Sequence, residues 1–216
     1  MTRTVTVDGI LFDNDGVLVD SLPTAMRIWR EWAQVWSPQA DPTVDFPHGT
    51  PARDIIAGLV APQDVERAYQ ELDQAEIEHA TEVDPIPGAA ELTASLPADR
   101  WVVVTSAGRQ LAMGRVRAAG HEPSQMVSVD DVTQGKPHPE PYLTGAELLG
   151  LDPSRVAVFE DAPVGVEAAR AAGVGLVVGV GHQIDPATVD VLVPDLRQVR
   201  RLPSEDGIVL AFDVEP

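Results

Sequence analysis

The run Val5-Thr6-Val7-Asp8-Gly9-Ile10-Leu11-Phe12, followed at once by Asp13-Asn14-Asp15-Gly16, constrains this chain more than any other stretch. Its apolar residues read as a buried strand that carries two carboxylates, two residues apart, to its own tip. Side chains alternate along extended backbone, so Asp13 and Asp15 point to one side. Two anions held that close repel each other, which calls for a divalent cation, a shared proton, or both. Gly16 lets the backbone turn sharply just beyond them. The same residue types also suit a plain acidic corner between strand and loop, because Asp, Asn and Gly favour turns.

The remainder of the chain alternates strand-like and helix-like segments, the pattern of a parallel α/β sheet. Strand-like runs lie at 5–12, 101–105, 126–129, 156–159, 174–180 and 208–212. Helix-like segments lie at about 88–96, 108–119, 139–149 and 162–172. Alanines fill 162–172 ahead of Gly173, a helix with a glycine stop. Residues 18–86 break the alternation. A helix from Ser21 carries Trp29, Trp32 and Trp36 along one face, as a core or domain-contact surface. Two further helices follow at 51–60 and 62–80, and Glu66, Glu71, Asp73, Glu76 and Glu78 of the second read as solvated surface. Asp84-Pro85-Ile86-Pro87-Gly88 forms a return connector. With 216 residues, 44% of them hydrophobic, the chain can bury one main core and carry an insertion.

Four segments, in order, resemble the signatures of the haloacid dehalogenase superfamily. Asp13-Asn14-Asp15-Gly16-Val17-Leu18-Val19-Asp20-Ser21 resembles the first and Val102-Val103-Val104-Thr105-Ser106 the second. Gly135-Lys136-Pro137 resembles the third and Val158-Phe159-Glu160-Asp161-Ala162-Pro163-Val164-Gly165 the fourth. The resemblance implies a Rossmann-like parallel sheet core with a small inserted α-helical cap. On that basis residues 1–17 and 87–216 are expected to form the core domain and residues 18–86 the cap. A cap at this place is similar to that of β-phosphoglucomutase and the small sugar-phosphate phosphatases.

The resemblance also implies roles. Asp13 corresponds to the nucleophile that forms an aspartyl-phosphate, and Asp15 to the acid that protonates the leaving alcohol and then activates water. Mg²⁺ is the implied cofactor, with Asp13, Asp15 through its carbonyl, Glu160 and Asp161 as the metal site. Thr105, Ser106 and Lys136 correspond to the phosphate-binding groups. Lys136 is the only lysine among 15 basic residues, and a compact ammonium suits a crowded metal-phosphate site. His48, Arg53 and Arg109 are the expected substrate-specificity residues. The mutase relatives place a histidine where this chain has Ala25 and an arginine where it has Ala52, with Arg53 one residue away. His48-Gly49 instead resembles the phosphatases of 2-deoxyglucose 6-phosphate, sugar-alcohol phosphates and glycerol phosphate.

The expected activity is therefore a Mg²⁺-dependent phosphomonoesterase acting on a small sugar or polyol phosphate. A β-phosphoglucomutase-like mutase and a catalytically silent binding module are the alternatives. A formal charge of −19 argues against nucleic acid as a partner. No apolar stretch has membrane-spanning length. The chain has no cysteine, which removes disulfides, thiolate catalysis and cysteine-bound zinc. The first residues enter a strand without a signal-peptide pattern, so a cytoplasmic monomer is expected. His79, His121, His138 and His182 show no metal-ligand spacing and read as surface residues.

Overall fold

The structure, a computed structural model, describes residues 2–41 and 50–213. Its centre is a six-stranded parallel sheet. The strands are β2 (Gly9–Phe12), β5 (Trp101–Val104), β6 (Met126–Val127), β7 (Val156–Glu160), β8 (Leu176–Val180) and β9 (Val191–Val193), in the order β6-β5-β2-β7-β8-β9. Both faces are buried, as the unbroken apolar runs of β5, β7 and β8 require. Ile10, Phe12, Val103 and Phe159 enter one core cluster, while Leu11, Val102, Val104 and Val158 enter another. Adjacent residues of a strand thus feed opposite faces. Phe12 packs between Phe159 and Trp101, with ring centroids 5.0 and 5.9 Å away.

The stretch at 5–12 is not one strand. It divides at Asp8 into β1 (Thr2–Val7) and β2, which belong to different sheets. The Asp8 carboxylate pairs with Arg155 and its amide donates to the Arg155 carbonyl. Gly9 packs closely under Leu149 and Leu151, whose Cδ1 tips would lie 2.7 Å from a Cβ there and would have to shift. A charged anchor and a glycine thus bend the chain where the apolar pattern alone reads straight. β1 pairs antiparallel with β11 (Ile208–Asp213), which also pairs with β10 (Val199–Leu202). The expected strand at 208–212 therefore exists, but in this second, three-stranded sheet.

Four helices flank the parallel sheet: α4 (Ala89–Ser95), α5 (Arg109–Ala118), α6 (Glu140–Leu149) and α7 (Pro163–Ala171). Pro163 opens α7, where a missing amide costs nothing, and the left-handed Gly150 closes α6. Among the described residues, three helices lie in the stretch that broke the alternation: α1 (Leu22–Trp36), α2 (Ala52–Leu59) and α3 (Val65–Glu78). They share a separate apolar cluster of Ile28, Trp29, Trp32, Ile56, Ala68 and Leu72. The Trp32 indole donates to the Ala68 carbonyl at 2.8 Å, tying α1 to α3. The chain leaves and returns through a two-stranded antiparallel ribbon, β3 (Val19–Asp20) and β4 (Asp84–Pro85). His121 is a correction to the surface reading. It is 1% exposed, with its ring nitrogens against Thr93 Oγ1 and the Leu18 carbonyl, and burial pushes its pKa down.

Candidate active site

Parallel strands carry their carboxyl ends to one edge, so β2, β5 and β7 deliver Asp13, Thr105 and Glu160 to a common place. The Asp13 amide donates to the Phe159 carbonyl at 3.0 Å, so the sheet register itself sets Asp13 beside Glu160. Lys136 is buried between them. Its Nζ donates to Asp13 Oδ1 and to Glu160 Oε1, each at 2.6 Å, and to the Val104 carbonyl at 3.1 Å. All three of its donors are thus used within the site. Glu160 Oε1 also accepts from the Tyr142 hydroxyl, and its Oε2 accepts from the amides of Asp161 and Ala162.

Asp13, Glu160 and Asp161 each offer a carboxylate oxygen, and the three oxygens lie within 4.8 Å of one another. Two glycines make this convergence possible. A Cβ on Gly16, whose φ is +88°, would sit 2.0 Å from Asp161 Oδ2. A Cβ on Gly165 would sit 1.8 Å from Glu160 Oε1. Burial pushes the Asp13 carboxyl up to about 7 against the pull of Lys136, with Glu160 and Asp15 adding to the rise. Burial and the neighbouring Asp13 and Glu160 likewise raise Asp161. Three carboxylates facing one ammonium add a charge imbalance to the effect of burial. A divalent cation would cancel the remaining two negative charges, and an all-oxygen donor set suits a hard ion.

Asp15 stands apart from Lys136. Its Oδ1 accepts from Ser21 Oγ at 2.5 Å and from Arg115 Nη1 at 3.0 Å, while Oδ2 accepts from the Asn14 side chain at 3.1 Å. Arg115 also donates to Glu76 Oε1 at 3.0 Å. Glu76 is therefore not part of a solvated acidic face: it is 7% exposed, and desolvation raises its carboxyl despite Arg115.

A cavity of about 470 Å³ opens between these residues and α1, α2 and α3. Asp13, Asp15, Thr105, Ser106 and Asp161 line one part of it. Trp29, Arg53, Tyr69, Asp73 and Glu76 line another. The Thr105 hydroxyl accepts from the Ala107 amide at 3.1 Å, which turns the chain after β5. Arg53 pairs with Glu66 and stacks over Tyr69, 4.4 Å from the ring centroid. Arg109 is absent from the lining among the described residues. Its guanidinium donates to Asp131 at 2.6 Å and to the Met126 carbonyl at 3.1 Å. His48 lies outside the described residues.

Arg115, Glu76 and Tyr142 lie in none of the four motif segments, and Asn14 lies in the first without a role assigned to it; the sequence reading missed the part of all four in the site. A signal for two of them exists. Arg115 falls among buried Leu111, Ala112 and Val116 of α5, and Glu76 continues the buried line Ala68, Leu72 of α3. A charge on the apolar stripe of a helix must find a buried partner.

Residues 7–173 match the family model of the haloacid dehalogenase-like hydrolases. Hexitol phosphatase A of Escherichia coli is 35% identical over 212 residues, 94% of this chain and 97% of that protein. Glycerol-1-phosphate phosphohydrolase 2 of Saccharomyces cerevisiae is 36% identical over 194 residues, 83% of this chain and 76% of that protein. A crystal structure of β-phosphoglucomutase from Clostridium difficile shares the fold, with a TM-score of 0.79 and 19% identity over 90% of this chain and 93% of its own.

Proposed function

This chain belongs to the haloacid dehalogenase-like hydrolases, and from that premise we propose that it is a phosphomonoesterase for a small sugar or polyol phosphate. The observation that carries the reading is the cluster of Asp13, Glu160 and Asp161, with Lys136 bridging the first two, beside a cavity that Asp13, Asp15 and Asp161 line. Two of the relatives act, by name, on hexitol and glycerol phosphates. We take residues 1–17 and 87–216 as the core and 18–86 as a cap over the cavity.

Asp13 and Asp161 would hold Mg²⁺, with the Asp15 carbonyl as a further ligand; Glu160, whose oxygens already accept from Lys136, Tyr142 and the amides of Asp161 and Ala162, would add its charge and hold Lys136 in place. Bound there, the ion would supply charge neutralisation for the carboxylates and the phosphoryl oxygens. The chain's own groups perform the remaining work. Lys136 orients Asp13 and offsets negative charge around it. Asp13 attacks phosphorus, giving an aspartyl-phosphate, while Asp15 hands a proton to the departing alkoxide oxygen. Asp15, now ionised, takes a proton from the water that cleaves the acyl phosphate, releasing phosphate and restoring both residues. Thr105 and Ser106 donate to the phosphoryl oxygens.

Both arginines lining the cavity are tied to carboxylates: Arg53 to Glu66, and Arg115 to Asp15 and Glu76. A second phosphate therefore meets no uncommitted arginine among the described lining residues. A neutral, hydroxyl-rich leaving group fits that lining better than a bisphosphate.

The test is phosphate release from hexitol, deoxyhexose, pentose and glycerol phosphates, with Mg²⁺ and with chelator. Mg²⁺-dependent release is expected, fastest on a neutral polyol or sugar ester. Isomerisation of a hexose 1-phosphate without net release would overturn the phosphatase reading in favour of a mutase.

A further inference from the structure

Arg115 lies outside every motif discussed above, yet its guanidinium is buried at the meeting point of three chain segments. It projects from α5 of the sheet-flanking layer. One arm reaches Asp15, on the loop after β2, and the other reaches Glu76, on α3 of the inserted helices. Each hydrogen bond measures 3.0 Å. The group stays charged at any relevant pH, and its planar fork holds two acceptors in one fixed relation. A buried cation of this kind is tolerated only while its acceptors are in place.

The acceptor arithmetic on Asp15 is specific. A carboxylate oxygen has two lone-pair sites. Those of Oδ1 are taken by Ser21 and Arg115, whereas Oδ2 has the Asn14 amide alone. Oδ2 is thus the oxygen with capacity left to carry a proton. Removing Arg115 would free Oδ1 and let the carboxylate rotate.

We propose that Arg115 is a positioning residue for proton transfer: it fixes Asp15 so that Oδ2 serves the leaving group, and its bond to Glu76 makes that orientation depend on α3 being docked. This role rests on the reading of Asp15 as the acid of the reaction. It separates substrates by their leaving groups. An alkyl phosphate needs its departing oxygen protonated. p-Nitrophenyl phosphate does not, because its phenolate is stable. Since kcat/KM reports barriers measured from free enzyme and substrate, it isolates the step that transfers the phosphoryl group to Asp13.

The experiment compares kcat/KM for glycerol phosphate and p-nitrophenyl phosphate in the wild type, Asp15→Asn, Arg115→Lys, Glu76→Gln, Glu76→Leu and the double variant Arg115→Met/Glu76→Gln. Lysine keeps the charge but not the fork, and the double variant leaves no unpaired Glu76, so both guard against simple unfolding. The expected result is a loss on glycerol phosphate about tenfold or more larger than on p-nitrophenyl phosphate in Arg115→Lys and in the double variant. A smaller loss of the same kind is expected in Glu76→Gln. Equal losses on both substrates would make Arg115 a structural strut and overturn the proposal, as would no loss at all. Wild-type behaviour of Glu76→Leu, which unlike glutamine leaves Arg115 no acceptor at this position on α3, would overturn the dependence on α3. If Asp15→Asn shows the leaving-group effect and the Arg115 variants do not, the proposal alone fails. If Asp15→Asn shows none, the acid assignment fails with it.

Discussion

Asp13 holds the sharpest consequence of the site at the scale of single residues. Folding moves its carboxyl from 3.8 to about 7, because burial disfavours the charged form more than Lys136 favours it. The folded protein therefore holds a proton that the unfolded chain has already released across that interval. Metal-free stability must then fall as pH rises through it. Denaturant titrations in chelator at several pH values should show the wild type losing on the order of a few kcal/mol over that window relative to Asp13→Asn. Parallel curves for the two proteins would refute the assignment. With Mg²⁺ present, Asp13→Asn should lower turnover by about 10⁴-fold or more, as loss of a nucleophile does. Gly16 offers an independent check. Its φ of +88° and the 2.0 Å approach of Asp161 leave alanine no place, so Gly16→Ala should weaken Mg²⁺ binding about tenfold or more by calorimetry. Asp13 and Asp15 were legible from their spacing at one strand tip, and Lys136 and Asp161 through the resemblance of their local segments to family motifs. Arg115 and Glu76 were not, because they lie 39 positions apart on two helices and meet only in space.

At the scale of elements, strands β5 and β7 and helices α5, α6 and α7 fall close to where the apolar pattern puts them. Misreadings came where backbone partners, not side-chain patterns, decide. The pattern at 5–12 is continuous, yet the Asp8–Arg155 pairing and the crowding at Gly9 split it between two sheets. The short strands β3, β4, β9 and β10 carry too few residues to show a period at all. The tryptophan face of α1 was readable, and its burial defines an element-level prediction. Trp32 fills the helical cluster and donates to the Ala68 carbonyl, so Trp32→Ala removes packing and a hydrogen bond between two helices. A loss of about 3–5 kcal/mol is expected. Hydrogen exchange should report it mainly in α1, α2 and α3, while β2 and β7 keep their protection. Equal deprotection of the parallel sheet would mean that the three helices have no cluster of their own.

For the whole molecule, the charge of −19 sets a field that opposes its own anionic substrate. Screening should help. Raising ionic strength from about 0.01 to 0.15 M shortens the screening length from about 30 to 8 Å. With Mg²⁺ saturating, kcat/KM for a phosphate monoester should then rise, by about two- to fivefold. A fall would mean that the field at the cavity mouth is positive despite the total. What the sequence alone determined is the chemistry available and the edge of the sheet that carries it. Three of the four local segments lie at strand ends, and a parallel sheet brings such ends together whatever the details of packing. What only the tertiary structure decided is which charges meet. Lys136 closing on Asp13 and Glu160, and Arg115 joining Asp15 to Glu76, depend on sheet register and on how α3 sits against α5. Coulomb energy and desolvation vary steeply over a few ångströms, and no one-dimensional spacing specifies distances that fine.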